Sequence, residues 1–518
     1  MKAFPPVSLP LVPFIFGMGL LLGGCGKPVE HSKYIPKEAS VVFCFNLPSI
    51  QEKAIQWELL LNRDVVQLFA NFNQFHNLGP SLKEASIDTQ YPVYFFREEG
   101  KTRADRYVAL SFRIKDESKF DAFLRKIPTQ KLSIRSFAGI RYTILDNKTI
   151  LGWMNRAALL IAKETKTSEE ELKNYVLRLR DLPERESLKF HNEQFRQLRQ
   201  SSYDVAAWFS LHPYEAAIKK SLGNVPLPIN LDLEDNFLTV RGTFLAGKTE
   251  LEASFFNLNG SLREYRNLVK DSINPALLTQ LPHPSLLGGL GLGLNIKGLK
   301  DLFNRLGAKL LARQAEDWIG STPDDLLDML SGDLLALLEN IRVGRDPREI
   351  EYALLLGLGI RQEVTLQKIL QKFEQNGLLV RQDSIWQAPS LRLSLAYRPP
   401  VFFISTVDSL LRLPAGAPSV AKAEVVRRSQ RSFVVGYADV REQTRQKIPS
   451  LLFQGDRYIE GWTKYTQTPL ESLIFSITPV RNKVSTLKLS LFFKNREVNA
   501  LQSLVDALKQ PPTLQAAP

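Results

Sequence analysis

The sequence predicts an α+β protein of two similar halves by internal duplication, with antiparallel sheets and helices packed on one sheet face. Three observations carry this. Short apolar motifs recur in the same order about 240 residues apart. Strand-like stretches alternate, as at Leu487, Leu489 and Leu491, so one sheet face is buried and the other partly wet. Strand-like neighbours such as 237–246 and 249–257 are joined by short connections, which favours antiparallel pairing over a doubly wound parallel sheet. The 518 residues are 44% apolar and 23% charged, with formal net charge +13. That is ordinary globular usage and excludes a disordered, collagen-like or disulfide-dense scaffold.

The chain opens with Lys2 ahead of an apolar run from Leu11 to Leu22. The run is too short for a spanning helix, which needs ~20 residues, and suits the apolar region of a secretory signal. Leu22-Gly23-Gly24-Cys25 follows and resembles the bacterial lipobox. The resemblance implies cleavage before Cys25, lipidation of that cysteine and a membrane tether through the lipid. Residues 1–24 are then a lipoprotein signal peptide and 25–32 a tether. Gly26 stands where an aspartate is associated with inner-membrane retention, and no acidic run follows. The expectation is outer membrane, lipid-anchored and facing the periplasm, with the cell surface as the alternative. With Cys25 acylated, only Cys44 remains, and one thiol forms no internal disulfide. Within Val41-Val42-Phe43-Cys44-Phe45 it reads as a small buried apolar residue.

The first half is expected over 33–275 and the second over 280–510, joined at Pro282-His283-Pro284-Ser285 and followed by a disordered tail, 511–518. Taking the elements in order, Phe45 to Ile50 lines up with Leu294 to Leu299, each a strand end running into a helix. Ser49 and Glu52 suggest a capping box at the first of these helices. Arg106 to Leu110 lines up with Glu351 to Leu355. Each leads to a helix with one apolar stripe: Phe120, Phe123, Leu124 and Ile127 in the first, Leu366, Ile369, Leu370 and Phe373 in the second. Ala158 to Ile161 matches Val401 to Ile404, and the strand-like 203–211 matches 433–441. Leu251 to Phe256 matches Leu487 to Phe492. A helical insertion is expected between Thr167 and Gln200, with its charges on a solvent face, and another from Leu299 to Leu330.

The expected mature start, Ile35-Pro36-Lys37-Glu38-Ala39-Ser40-Val41-Val42, resembles an uncharacterised lipoprotein family of Bacteroidota with I-P-K-[DE]-A-[ST]-V-V after the lipidated cysteine. The resemblance implies an exported, membrane-anchored protein with a duplicated α+β body. It carries over no activity and no functional residue.

Motifs for chemistry are missing from the sequence. His31, His76, His191, His212 and His283 show no metal-ligand spacing, and there is no C-x-x-C, Walker loop or nucleophile elbow. No catalytic residue, metal or cofactor is therefore assigned. Asp324-Asp325 after Ser321-Thr322-Pro323 reads as a helix start rather than a catalytic carboxylate pair. Arg427, Arg428 and Arg431 read as a solvated edge before a strand, and the dispersed cations as attraction to anionic headgroups rather than nucleic acid. One pattern is unusual. Gly289, Gly291 and Gly293 alternate with leucines, and Gly357 and Gly359 do the same. Strand geometry puts these glycines on one face, where either a helix packs closely or an apolar groove accepts an acyl chain or peptide. The favoured function is a non-enzymatic, lipid-anchored envelope protein that binds or scaffolds other envelope components. The alternatives are a carrier of a lipid or other amphiphile in a cleft between the halves, and an enzyme with an unrecognised site.

Overall fold

The computed structural model describes residues 30–55, 85–126, 132–200, 202–222, 232–260, 263–279, 287–305, 316, 319–343, 350–412, 420–440 and 469–509. Cys25, the signal segment 1–24 and the tail 511–518 lie outside them. The chain divides into two compact units. The first takes residues 1–259 and 495–518, the second 260–494. This differs from the expected halves at both ends: 260–275 belong with the second unit, and the C-terminal helix Ala500–Lys509 returns to the first. There the side chain of Gln502 accepts from the Ile55 amide at 2.6 Å, and Gly247 donates to the Val498 carbonyl at 2.8 Å.

Among the described residues the first unit has ten strands: β1 (Ala39–Phe45), β2 (Val93–Glu98), β3 (Tyr107–Arg113), β4 (Arg135–Phe137), β5 (Ile140–Asp146), β6 (Thr149–Met154), β7 (Ala157–Lys163), β8 (Val205–Ser210), β9 (Phe237–Leu245) and β10 (Lys248–Phe256). They pair antiparallel in the order β10-β9-β8-β1-β2-β3-β7-β6-β5-β4. Every residue of β1, β6 and β7 is buried, so the centre of this sheet is covered on both faces. The two neighbours Gly152 and Trp153 show how. Successive strand residues point to opposite sides. Gly152 faces the Glu169–Arg180 helix, where a side chain on it would strike Val176. Trp153 faces the other way and packs edge-on against Phe120 of the Glu117–Lys126 helix, with ring centroids 5.4 Å apart. The expectation of helices on one sheet face is thereby corrected: helices lie on both. The apolar stripe of Glu117–Lys126 needs a dry sheet face, and the alternate residues of β6 and β7 supply it.

The second unit contains β11 (Gly288–Gly293), β12 (Leu330–Val343), β13 (Ile350–Ile360), β14 (Val380–Gln382), β15 (Ile385–Ala388), β16 (Leu393–Arg398), β17 (Val401–Ser405), β18 (Val434–Asp439), β19 (Leu470–Ile477) and β20 (Val484–Phe493). Their antiparallel order is β20-β19-β18-β11-β12-β13-β17-β16-β15-β14. Leu335, Leu355 and Phe403 form one core with the short helices Pro275–Thr279 and Asp408–Arg412. On the opposite face Trp386 and Phe402 join Leu366, Ile369 and Leu370 of the Glu363–Gln375 helix. The stripe expected on that helix is the one it buries.

The tether expected over 25–32 ends earlier. Residues Glu30–Tyr34 form a 3-10 turn in which His31 and Ser32 are buried in the first unit. The helix after β1 runs Leu47–Lys53 with Asn46 at its N-cap, so Ser49 lies inside the first turn rather than capping it.

Candidate functional site

Among the described residues, a connected set of titratable side chains, from buried Lys163 to half-exposed Arg178, lies in the first unit, where the Glu169–Arg180 helix crosses β2, β3 and β7. Three leucine-type contacts seat the helix: Leu172, Val176 and Leu179 are buried against the sheet. Its start is set by Ser168, whose hydroxyl accepts from the Glu171 amide at 3.1 Å. That seating aims Arg178 at Glu98. The guanidinium donates to both carboxylate oxygens, at 3.2 and 2.9 Å. The Tyr107 hydroxyl donates to Glu98 at 2.7 Å and accepts from Arg178 at 3.0 Å. Burial pushes the Tyr107 hydroxyl well above its ordinary value, and the Glu98 carboxylate adds to the effect.

One turn back along the helix, Tyr175 bridges to a second pair. Lys163 donates to Glu171 and, at 3.0 Å, to the Tyr175 hydroxyl, and its ammonium lies 4.3 Å from the Tyr175 ring centroid. Burial opposes the charge on Lys163, but the bonds to Glu171 and Tyr175 outweigh it and raise its pKa. Glu171 also accepts from Thr167, and the Lys163 bond holds its carboxyl below the usual range. Two acids meet two bases, and most of their hydrogen bonds run between members of the set, with Thr167 and the Asp105 carbonyl taking part at its edge. The network holds the Glu169–Arg180 helix on the sheet. Glu98 and Arg178 are 80 positions apart, and no local motif marks them in the sequence.

A second buried carboxylate went unmarked as well. Asp204, just before β8, accepts from Ser49 at 2.5 Å, from Lys53 at 2.7 Å and from the Phe244 amide at 2.5 Å. It ties the helix after β1 to β8 and β9. The solvent face expected for 166–199 is thus only half of that stretch, because its other side carries core residues and Arg178.

The glycine face of the second unit is filled by the chain itself, which corrects the expected apolar groove there. Side chains on Gly291 and Gly293 would meet Ile273, and one on Gly289 would meet Leu337 of β12. Gly357 sits among Leu335, Val401 and Phe403, and Gly359 against Ser331 and Asp333. The missing β-carbons admit Ile273 and the Pro275–Thr279 helix to the sheet. The leucine face behind them is more open: Leu290 is 44% exposed.

Asp325 completes a capping box with Thr322, whose hydroxyl accepts from the Asp325 amide at 3.1 Å. Arg428 departs from the expected solvated edge. It lies in the Val420–Ser429 helix and donates to Ser490 at 2.6 Å and to the carbonyls of Ile474 and Lys488. Cys44 is buried in β1 beside Tyr94, as a small apolar residue would be. His31 is buried too, and burial drives its pKa down to about 3. Among the described residues no three His, Cys, Asp or Glu side chains converge to hold a metal ion. Among them, too, no helix is long and apolar enough to cross a membrane.

Among solved structures the chain is similar to crystal form I of TP0453, at 11% identity over 45% of this chain and 81% of that one, with a TM-score of 0.28. Crystal form IV of TP0453 gives 14% identity, 46% and 86% coverage and a TM-score of 0.29. Scores this low carry no argument about the chain. No curated protein matches it. A family model described as a domain of unknown function, DUF4836, matches residues 36–339, more than half of the chain. The matched span opens at the Pro36-Lys37-Glu38-Ala39 start of the first sheet, and the chain belongs to the DUF4836 family.

Proposed function

We propose that this chain is a lipid-anchored envelope protein that binds or scaffolds other envelope components and performs no chemistry of its own. The observation that supports the non-enzymatic part is the network of Glu98, Tyr107, Arg178, Tyr175, Lys163 and Glu171, whose hydrogen bonds run mostly between its own members. The anchor rests on Leu22-Gly23-Gly24-Cys25. Its membrane is the outer one, with the body facing the periplasm. Mass spectrometry of the processed protein, with fractionation of wild type and Cys25→Ala, tests this. An acylated Cys25 and loss of membrane attachment in the variant support it; an intact leader refutes it. Crosslinking pull-downs from native membranes test the scaffolding, and recovery of no envelope component under several crosslinkers counts against it.

The body is two copies of one folding plan. Support comes from strand order: adding ten to each strand number of the first unit reproduces the order of the second. The recurring motifs lie on strands so related, with 107–110 on β3 and 351–355 on β13.

A carrier of an amphiphile is the second reading. Its support is the leucine face of β11 and its neighbours, where Leu292, Leu334 and Leu356 are only half-buried beside Leu290. Native mass spectrometry of purified protein tests it, and the absence of any co-purifying amphiphile removes it.

A further inference from the structure

The start of the ordered body limits how far the protein can stand from its membrane. His31 is 2% exposed, and its Nε2–H donates to the Pro92 carbonyl at 2.9 Å. Its own carbonyl accepts from Ser111. Ser32 is fully buried and accepts from Arg199 Nη1 at 2.6 Å. Tyr34 and Ile35 follow into the same core. Freeing this segment exposes the apolar side chains of Tyr34 and Ile35 to water and strands the buried Arg199 guanidinium. The segment therefore belongs to the folded body and is not spare tether.

His31 stands six positions after Cys25, and six residues span at most about 20 Å when fully extended. His31 also identifies the end of the unit that is held. Pro92 precedes β2, and Ser111 is near the end of β3. The loop before β2 bonds to the chain after β3, Asp88 N to the Arg113 carbonyl and Lys115 N to the Ser86 carbonyl, both at 2.8 Å. The turn between β6 and β7 joins them, since Ile114 N donates to the Arg156 carbonyl at 2.8 Å.

Given the lipidation reading of Cys25, on which this rests, we propose that the first unit is moored short, with the end formed by 85–92, 113–116 and 155–156 apposed to the bilayer surface. The partner of that end is the lipid headgroup layer. The β2–β3 connection, with Lys101, is at the far end of the same strands, roughly 20 Å away along β3 at ~3.3 Å per residue. A component engaged through the near end has to lie in or on the same membrane.

The test uses the full lipidated chain with a fluorophore on Lys115→Cys or Lys101→Cys, both exposed positions, in vesicles of phosphatidylethanolamine and phosphatidylglycerol carrying headgroup nitroxides. Quenching several-fold stronger at position 115 than at 101 is expected. Insertion of about twenty Gly and Ser residues after Gly26, a flexible coil, abolishes the difference while attachment persists. Equal quenching at the two positions, with the acyl mass present on Cys25, refutes the short mooring alone. Absence of the acyl mass and of attachment refutes the lipidation reading and the mooring with it.

Discussion

Replacing Glu98 with alanine separates a structural network from a reactive one. Glu98 accepts two bonds from Arg178 and one from Tyr107. Removing one partner of a fully buried charge pair costs about 3–5 kcal/mol. Here Arg178 is 46% exposed, so water rehydrates part of the guanidinium and the charge contribution shrinks. The Tyr107 hydroxyl has no such relief: it is buried and loses its only carboxylate acceptor, which costs about 1–3 kcal/mol. Together the loss is about 2–4 kcal/mol, which corresponds to a roughly 30- to 1000-fold fall in amide protection at ~1.4 kcal/mol per decade. Hydrogen exchange of the β3 and β7 amides measures it within the unit concerned. Adding Tyr107→Phe to Glu98→Ala removes the stranded hydroxyl, so the double variant is less destabilised than the sum of the singles. Unchanged protection in Glu98→Ala, or strictly additive losses, would refute the argument that these groups share one interaction.

Other consequences follow from single residues. The His31 pKa is depressed in the fold, to about 3, so the unfolded chain binds the extra proton first. Stability should fall as pH drops from about 6.5 to about 3, by about 1.4 kcal/mol per pH unit from this residue. Urea midpoints of His31→Gln against pH should show a shallower slope there, and an identical slope would dismiss the assignment. A β-carbon on Gly298 would lie 1.9 Å from the Asn267 carbonyl oxygen, whereas one on Gly291 comes no nearer than 3.2 Å, to the flexible tip of Ile273. Gly298→Ala should cost about 1–3 kcal/mol and Gly291→Ala much less; thermal melts showing the reverse would contradict the close-approach argument. Thr322→Ala should lose about 1 kcal/mol with its cap, read as faster exchange in Pro323–Met329.

Local pattern in the sequence was enough for a good share of the body. Phe120 and Leu124, and likewise Leu366, Ile369 and Leu370, are buried as their helical spacing requires. Thr322 and Asp325 cap as their types require. The antiparallel strands carrying 107–110, 158–161, 251–256 and their counterparts stand where the recurring motifs placed them, but the alternation expected at Leu487, Leu489 and Leu491 does not hold, since Leu487 is exposed and Ser490 buried. Those features depend on residues within one turn or one strand of each other. What covers each face depends on residues far away in sequence, and only the tertiary structure decided it. Gly152 and Trp153 look alike as core positions, yet one meets Val176 and the other Phe120. The Gly289–Gly293 face has room for a ligand on periodicity alone, and Ile273 takes that room. Arg178 reads as a surface charge until the helix that carries it docks over Glu98. Periodicity states which side of an element is dry; the identity of the group that makes it dry is a long-range contact, and its energy is absent from any local window.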